Sequence, residues 1–292
     1  MNECPKFDVI VCGSLHLDIV VKATALPRID ETAVGSAWQQ VCGGKGGNQA
    51  AQAARAGART AMIGRTGRDD FGETLRANLL AAGVDISALS IDASAGSGMS
   101  VAILQDNGDY GAVIVSGANT SIDPALMPEA WANSGGAKVL VLQNEIPHKV
   151  NVAAAFVARQ AGAIIVLNAA PARAITDDLL DLIDVLIVNR VEAEAIAKVG
   201  VGDRATARSA LPALGAEARS VIVTLGGDGM VVSPRGEAAV EISALPVEVT
   251  STHGAGDCFV GVFAAELARG AALVAASEEA NRRASLHVSR KS

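Results

Sequence analysis

Aromatic side chains are scarce in this 292-residue chain, where Phe, Trp and Tyr together make up 3% and tyrosine occurs once. A core of this size must then be filled by Ala, Val, Leu and Ile, and a site that stacks bases on several rings is disfavoured. Excess positive charge is lacking too. The net charge of −7 leaves no electrostatic footprint for a nucleic-acid partner. The four cysteines, Cys4, Cys12, Cys42 and Cys258, follow neither metal-ligand spacing nor a disulfide framework, which fits a reducing compartment. No apolar run nears the ~20 residues of a membrane span, and no basic leader with an A-x-A cleavage pattern precedes the first strand-like run. The expectation is a soluble, cytoplasmic protein with no membrane partner. What is abundant is glycine, 30 residues, within a composition 50% hydrophobic. Such a chain suits one large α/β domain, 1–292, with at most a small appendage.

Apolar runs supply the strands. Phe7 to Gly13 reads as a buried first strand stopped by glycine. Leu15 to Val21 and Thr32 to Trp38 alternate as strands exposed on one face do. Met99 to Leu104 and Ala112 to Val115 read as a hairpin around Asp106-Asn107-Gly108-Asp109. Together these segments predict a small sheet, approximately 15–41 and 98–116, projecting from the main body. A strand at 60–64 and a helix from Asp70, stopped at Gly83, follow the first glycine-rich stretch. From Lys138 onward strands alternate with helices: strand 139–142, helix 148–161, strands 163–167 and 185–188, helices 191–199 and 204–214, strand 220–224. Strands that are apolar throughout and separated by helices imply a mostly parallel sheet covered on both faces, a Rossmann-like arrangement.

Two glycine-rich stretches bear on chemistry. In Thr252-His253-Gly254-Ala255-Gly256-Asp257, successive N–H groups can be presented at the start of a helix, where they and the helix dipole attract an anion. Asp257 then reads either as a base taking a proton from a hydroxyl, or as a first-turn residue favoured by the dipole. Val41 to Ala50 opens another helix with four glycines around Lys45. It is not a Walker A loop, because no Ser or Thr follows the lysine. It reads as a backbone approaching a ligand closely, with Lys45 and Asn48 as donors, or as a capping loop. In a parallel sheet, ligands bind outside the carboxyl ends of the strands. The polar residues there are Glu145, Asn168, Asn189, Glu192 and Thr224-Leu225-Gly226-Gly227. Asp18, in the projecting strands, is a hydroxyl ligand or a solvated face residue.

The paired stretches Gly43-Gly44-Lys45-Gly46-Gly47-Asn48-Gln49-Ala50 and Gly254-Ala255-Gly256-Asp257 resemble the two signatures of the ribokinase-like (PfkB) sugar kinases. Gln143-Asn144-Glu145-Ile146-Pro147, Asn168 to Ala172, Asn189 to Glu194 and Val223 to Gly226 are similar to further blocks in the same order. The resemblance implies transfer of the ATP γ-phosphoryl group to a hydroxyl of ribose or a related sugar, beneath a β lid through which two chains pair as a homodimer. By motif, Asp257 would be the base, and Gly254, Ala255 and Gly256 the anion hole. Asp18, His16, Gly44, Lys45, Asn48 and Glu145 would bind the sugar. Asn189, Glu192, Thr224, Gly226 and Asn281 would serve the nucleotide, with Mg2+ held through phosphates and water near Glu192 and no direct protein metal ligand. A nucleoside kinase, or a sugar or nucleotide sensor on the same fold, are the alternatives. His16 replaces the family's usual asparagine, which bears on sugar identity. Ser251 replaces an aspartate associated with potassium, which with Arg290 and Lys291 as nearby cations predicts little dependence on K+.

Overall fold

The computed structural model describes residues 5–105, 109–252 and 254–289. Its centre is β1 (Phe7–Cys12), which pairs in parallel with two strands distant in sequence. After β1 come β2 (His16–Ala23), β3 (Gly35–Gly43), α1 (Lys45–Arg55), β4 (Thr60–Gly67), α2 (Asp70–Ala81), β5 (Val84–Asp85) and β6 (Leu89–Asp92). Next are β7 (Gly98–Gln105), β8 (Tyr110–Val115), α3 (Met127–Ser134), β9 (Ala137–Gln143), α4 (His148–Gln160), β10 (Ile164–Asn168) and α5 (Asp177–Leu180). The chain continues through β11 (Val185–Asn189), α6 (Arg190–Ala197), α7 (Arg204–Ala210), β12 (Ser220–Thr224), β13 (Met230–Ser233), β14 (Val240–Ile242), α8 (Ala255–Ala268) and α9 (Leu273–Val288).

The main sheet runs β14-β13-β12-β11-β10-β9-β1-β4-β5, with β6 also on β4. It is parallel from β12 to β5, and only β13 and β14 at one edge are antiparallel. Because side chains alternate across a strand, each face builds its own core. Ile10, Leu140, Ile165, Leu186 and Val221 face α3, α4, α6 and α7. Val9, Val11, Val139, Val141, Val166 and Ile187 face α1, α8 and α9, where Phe259 and Phe263 stack with ring centroids 6.0 Å apart. From β1 the chain builds outward in opposite directions, to β4 on one side and to β9 on the other. Ligand crevices form at such a reversal, outside the carboxyl ends.

The second sheet has the order β3-β2-β7-β8, with β2 parallel to β7 and hairpin-like antiparallel pairs at both sides. The hairpin expected at 99–115 is present, although its turn residues 106–108 lie outside the described residues, as does Cys4. Two expectations shift. The strand expected at 32–38 runs instead over Gly35–Gly43 and takes in Val41-Cys42-Gly43 from the glycine-rich stretch, because its register on β2 continues through Leu17↔Cys42 and His16↔Gly43. The helix from Arg204 ends at Ala210 instead of Leu214, since Pro212 follows and supplies no N–H to continue it. Short β13 and β14 and helix α9, which buries only Ala276, Ser277 and Ala280, carry too little apolar pattern to stand out in sequence.

Candidate active site

Two helix N-termini meet outside the carboxyl ends of β1 and β9. Helix α1 begins directly after Gly44, whose φ of 86° admits the turn out of β3. A Cβ on Gly46 would lie 2.5 Å from the Ser14 nitrogen and 2.6 Å from the Gly13 carbonyl carbon, so the start of α1 rests on the end of β1, backbone to backbone. Helix α8 begins after Gly254, which is left-handed at φ 73° and ψ 2°. The first N–H groups of a helix have no partner within it. At α8 these belong to the Gly254-Ala255-Gly256 turn and Asp257, facing the start of α1, with the Ala255 N–H donating to the Thr252 carbonyl at 3.3 Å.

Asp257 is the point of contact. Its Oδ2 accepts from Asn48 Nδ2 at 3.1 Å and its Oδ1 from Gln49 Nε2 at 2.9 Å. Burial pushes its carboxyl above the ordinary value; Lys45 and the two amide donors pull it down, and Glu145 adds to the rise. Lys45 also acts on Glu192, whose carboxyl is likewise raised by burial. The Lys45 charge therefore acts on acidic groups of both α8 and α6.

The lid side of the site is built on β2. Glu145, in the turn after β9, accepts from Ser14 Oγ at 2.5 Å and from the Lys45 N–H at 2.8 Å through Oε2. His16 Nδ1 lies 3.9 Å from the same oxygen. The His16 ring is buried, with Nε2 3.4 Å from Asn119 Nδ2. Asn119 is itself fixed by Leu15, whose N–H donates to Oδ1 at 2.9 Å and whose carbonyl accepts from Nδ2 at 2.8 Å. Asp18 accepts from Ser100 Oγ at 2.5 Å across the β2–β7 pair, and its other oxygen occupies the space a Cβ on Gly43 would need. His16, Lys45, Asn48, Glu145 and Asp257 are thus linked across the lid, α1, the turn after β9 and α8, while Asp18 lies over Gly43, two residues before Lys45.

Asn189 and Glu192 sit further along the rim, where β11 passes into α6. They form a reciprocal cap: Glu192 Oε2 accepts from the Asn189 N–H at 2.8 Å, Glu192 Oε1 accepts from Asn189 Nδ2 at 2.9 Å, and the Glu192 N–H donates to Asn189 Oδ1 at 3.0 Å. Thr224, at the end of the neighbouring β12, donates to the Val188 carbonyl at 3.4 Å. Gly226 follows in an exposed single turn, and Asn281 on α9 donates to the Ser243 carbonyl at 2.9 Å. A Cβ on Gly227 or Gly256 would meet no protein atom within 4 Å, and neither has a positive φ. Neither packing nor backbone conformation therefore requires glycine at these two positions. Thr250 and Ser251, just before the α8 turn, donate from their N–H groups to the Val288 carbonyl at 2.9 and 3.3 Å. His253, Arg290, Lys291 and Ser292 lie outside the described residues.

Sequence reasoning missed Ser14, Gln49 and Asn119, all fully buried. Gln49 stood within the quoted glycine-rich stretch, and its position one residue beyond Asn48 was the available signal. Ser14 and Asn119 act through contacts 131 and 104 residues away, which no local pattern carries. Among the described residues no cluster of three His, Cys, Asp or Glu side chains is placed to hold a metal, and no helix is long and apolar enough to cross a membrane.

Known proteins resemble this chain in sequence and in fold. The pfkB family carbohydrate kinase profile matches residues 6–292. The chain is 35% identical to ribokinase of Bacillus subtilis over 281 residues, covering 96% of this chain and 92% of the relative. It is 33% identical to ribokinase of Haemophilus influenzae, covering 88% and 84%. Its fold is similar to that of Arabidopsis thaliana ribokinase complexed with ribose and ATP, with a TM-score of 0.90, 29% identity, and coverage of 99% and 94%.

Proposed function

Because the chain belongs to the pfkB family of carbohydrate kinases, we propose that it transfers the γ-phosphoryl group of ATP to a hydroxyl of ribose or a closely related sugar, with Asp257 as the base. The observation that carries this reading is the half-buried Asp257 carboxylate at the N-terminus of α8, held by two amides and set beside Lys45. Asp18, Asn48, Lys45 and Glu145 bind and orient the sugar, with His16 shaping the pocket against Glu145. The chosen hydroxyl gives its proton to Asp257 as its oxygen bonds to the γ-phosphorus. The bond from that phosphorus to the bridging oxygen breaks, and ADP leaves. N–H groups of Gly254, Ala255 and Gly256 stabilise the charge spread over the transferred group, since phosphoryl transfer is chiefly positioning and charge stabilisation.

Nucleotide binding falls to the rim from Asn189 to Gly227 and to Asn281, where Gly227 and Gly256 leave room for phosphates. A single buried carboxylate, Glu192, fits Mg2+ held mainly by phosphate oxygens and water, as this cation usually is. When bound, Mg2+ would neutralise charge on the phosphates, and Glu192 and Asn189 would orient its waters. Ser251 supplies no carboxylate for a monovalent cation, so the reading includes no potassium requirement. The protein works as a cytoplasmic homodimer paired through the lid sheet, whose edge strands β3 and β8 expose Trp38, Val113 and Ile114.

The test is ADP release from ATP in the presence of single pentoses, hexoses, keto-sugars and nucleosides. Ribose or a near relative is expected to give the highest kcat/KM, and Asp257→Asn to lower kcat by ~10²–10⁴ with the fold intact. ADP release that no sugar accelerates would overturn the reading.

A further inference from the structure

We propose that Gln49 is the positioning residue that holds the Asp257 carboxylate in its ionised, hydroxyl-facing form, and that the close crossing of α1 and α8 at Gly261 brings it there. The proposal rests on the reading of Asp257 as base and names what makes that base competent.

Three observations meet at this joint. Gln49 is fully buried, and its Nε2 donates to Asp257 Oδ1 at 2.9 Å while its Oε1 has no hydrogen-bond partner. An idle buried acceptor is unfavourable, and a methionine would fill the same volume without it. What glutamine alone offers this position is the donor. Second, Asn48 on the same helix donates to the other oxygen at 3.1 Å, so both carboxylate oxygens face N–H groups. An amide NH2 can only donate, which favours the ionised carboxylate over the protonated acid and fixes the plane of the group. Third, Gly261 lies one helical turn beyond Asp257, on the same face of α8. A Cβ there would come 2.6 Å from the Gln49 carbonyl oxygen and 2.7 Å from Gln52 Cβ. The missing Cβ is what lets the two helices approach until Gln49 reaches Asp257.

The charged neighbours of Asp257 act on it separately from Gln49. Lys45 on α1 favours ionisation, Glu145 after β9 opposes it, and Glu192 at the start of α6 shares the field of Lys45. His287 on α9 approaches the α8 turn at Gly254. Gln49 is uncharged, so removing it changes the hydrogen bond and leaves this set intact. Burial works against the charged base, and Lys45, then Gln49 and Asn48, offset part of that. Without Gln49, protonation would begin at higher pH, and the lone pair that accepts the hydroxyl proton would lose its alignment.

The test compares wild type, Gln49→Met, Asp257→Asn and the double variant in steady-state kinetics with ATP and the best sugar over pH. For Gln49→Met, the acid limb of kcat/KM is expected to move up by about one pH unit, as loss of about one hydrogen bond to a charged group implies. The KM for sugar and for ATP should stay within about twofold, because Gln49 touches neither binding surface. The double variant should be no slower than Asp257→Asn alone, since residues acting through one group are not additive. Gln49→Glu, of the same size, keeps the test open if the methionine variant does not fold: it places a second carboxyl against Asp257 and should raise the acid limb further. An acid limb at the wild-type position in the folded variants, or a double variant slower than Asp257→Asn, overturns the proposal. Asp257→Asn with wild-type turnover would instead overturn the base reading itself.

Discussion

At the scale of the single residue, Asp18 is the lid carboxylate proposed to hold a sugar hydroxyl. One of its oxygens is taken by Ser100 at 2.5 Å, and the other lies over Gly43 where no Cβ stands in its way. The carboxylate is thereby anchored to the neighbouring strand β7 while keeping acceptor capacity for sugar hydroxyls. Asp18→Ala is expected to raise the sugar KM about tenfold or more, in line with ~1–3 kcal/mol for an unsatisfied partner in a polar site. The KM for ATP should stay within about twofold, because the residues proposed for the nucleotide, Asn189, Glu192, Thr224, Gly226 and Asn281, make no hydrogen bond to Asp18. Initial rates with one substrate varied at a time check this. Equal rises in both constants would mean that Asp18 acts through stability. Asp18 was legible in the sequence only as one of two alternatives, because alternation in a strand cannot say whether the face it marks is covered.

At the scale of the element, the start of α1 carries the same logic. Gly46 lies so close to Gly13 and Ser14 that a methyl group has backbone on its far side and nothing flexible to displace. Gly46→Ala must therefore lift α1 off β1, and with it the Lys45 N–H that donates to Glu145 at 2.8 Å. The expected cost is about 1–3 kcal/mol of stability, as for other insertions into packed sites, together with a raised sugar KM. Thermal unfolding and kinetics on the same variant check both; an unchanged Tm with unchanged KM would refute the close-approach argument. The parallel strands were legible because burial on both faces makes them apolar throughout, as in Val139-Leu140-Val141-Leu142. The chemistry at their carboxyl ends followed from that, placing Glu145, Asn189 and Thr224 on one rim. Helix α9 was not legible, since Ala276, Ser277 and Ala280 form a weak stripe on an otherwise charged helix. Gln49 was hidden for a different reason. Its role needs the angle at which α1 crosses α8, and a single glycine at Gly261 does not announce a crossing.

At the scale of the whole molecule, the lid raises a question of what covers it. Strands β3 and β8 are its two edges, and both carry large apolar side chains in solvent: Trp38 is 67% exposed, Val113 69% and Ile114 63%. Residues 35–40 of β3 are exposed on both faces, so this part of the hairpin projects beyond its own chain. Unprotected apolar edges invite pairing with other chains, and large exposed apolar patches usually mark an interface. A second copy of the same chain, related by a two-fold axis, is the simplest cover because it treats both edges alike. Covering the lid would also stiffen β2, which carries His16 and Asp18, the two lid residues proposed for the sugar. Light scattering on the eluting protein is therefore expected to give twice the 29.5 kDa mass of the chain. The paired substitutions Trp38→Glu and Ile114→Glu should shift it towards the monomer, because burying like charges against apolar neighbours is strongly unfavourable. The same variant should raise the sugar KM more than the ATP KM, since in the proposed site only the sugar is held by lid residues. A wild-type protein that elutes as a monomer at micromolar concentration, with full affinity for its sugar, would show that the exposed lid edges serve something other than self-association.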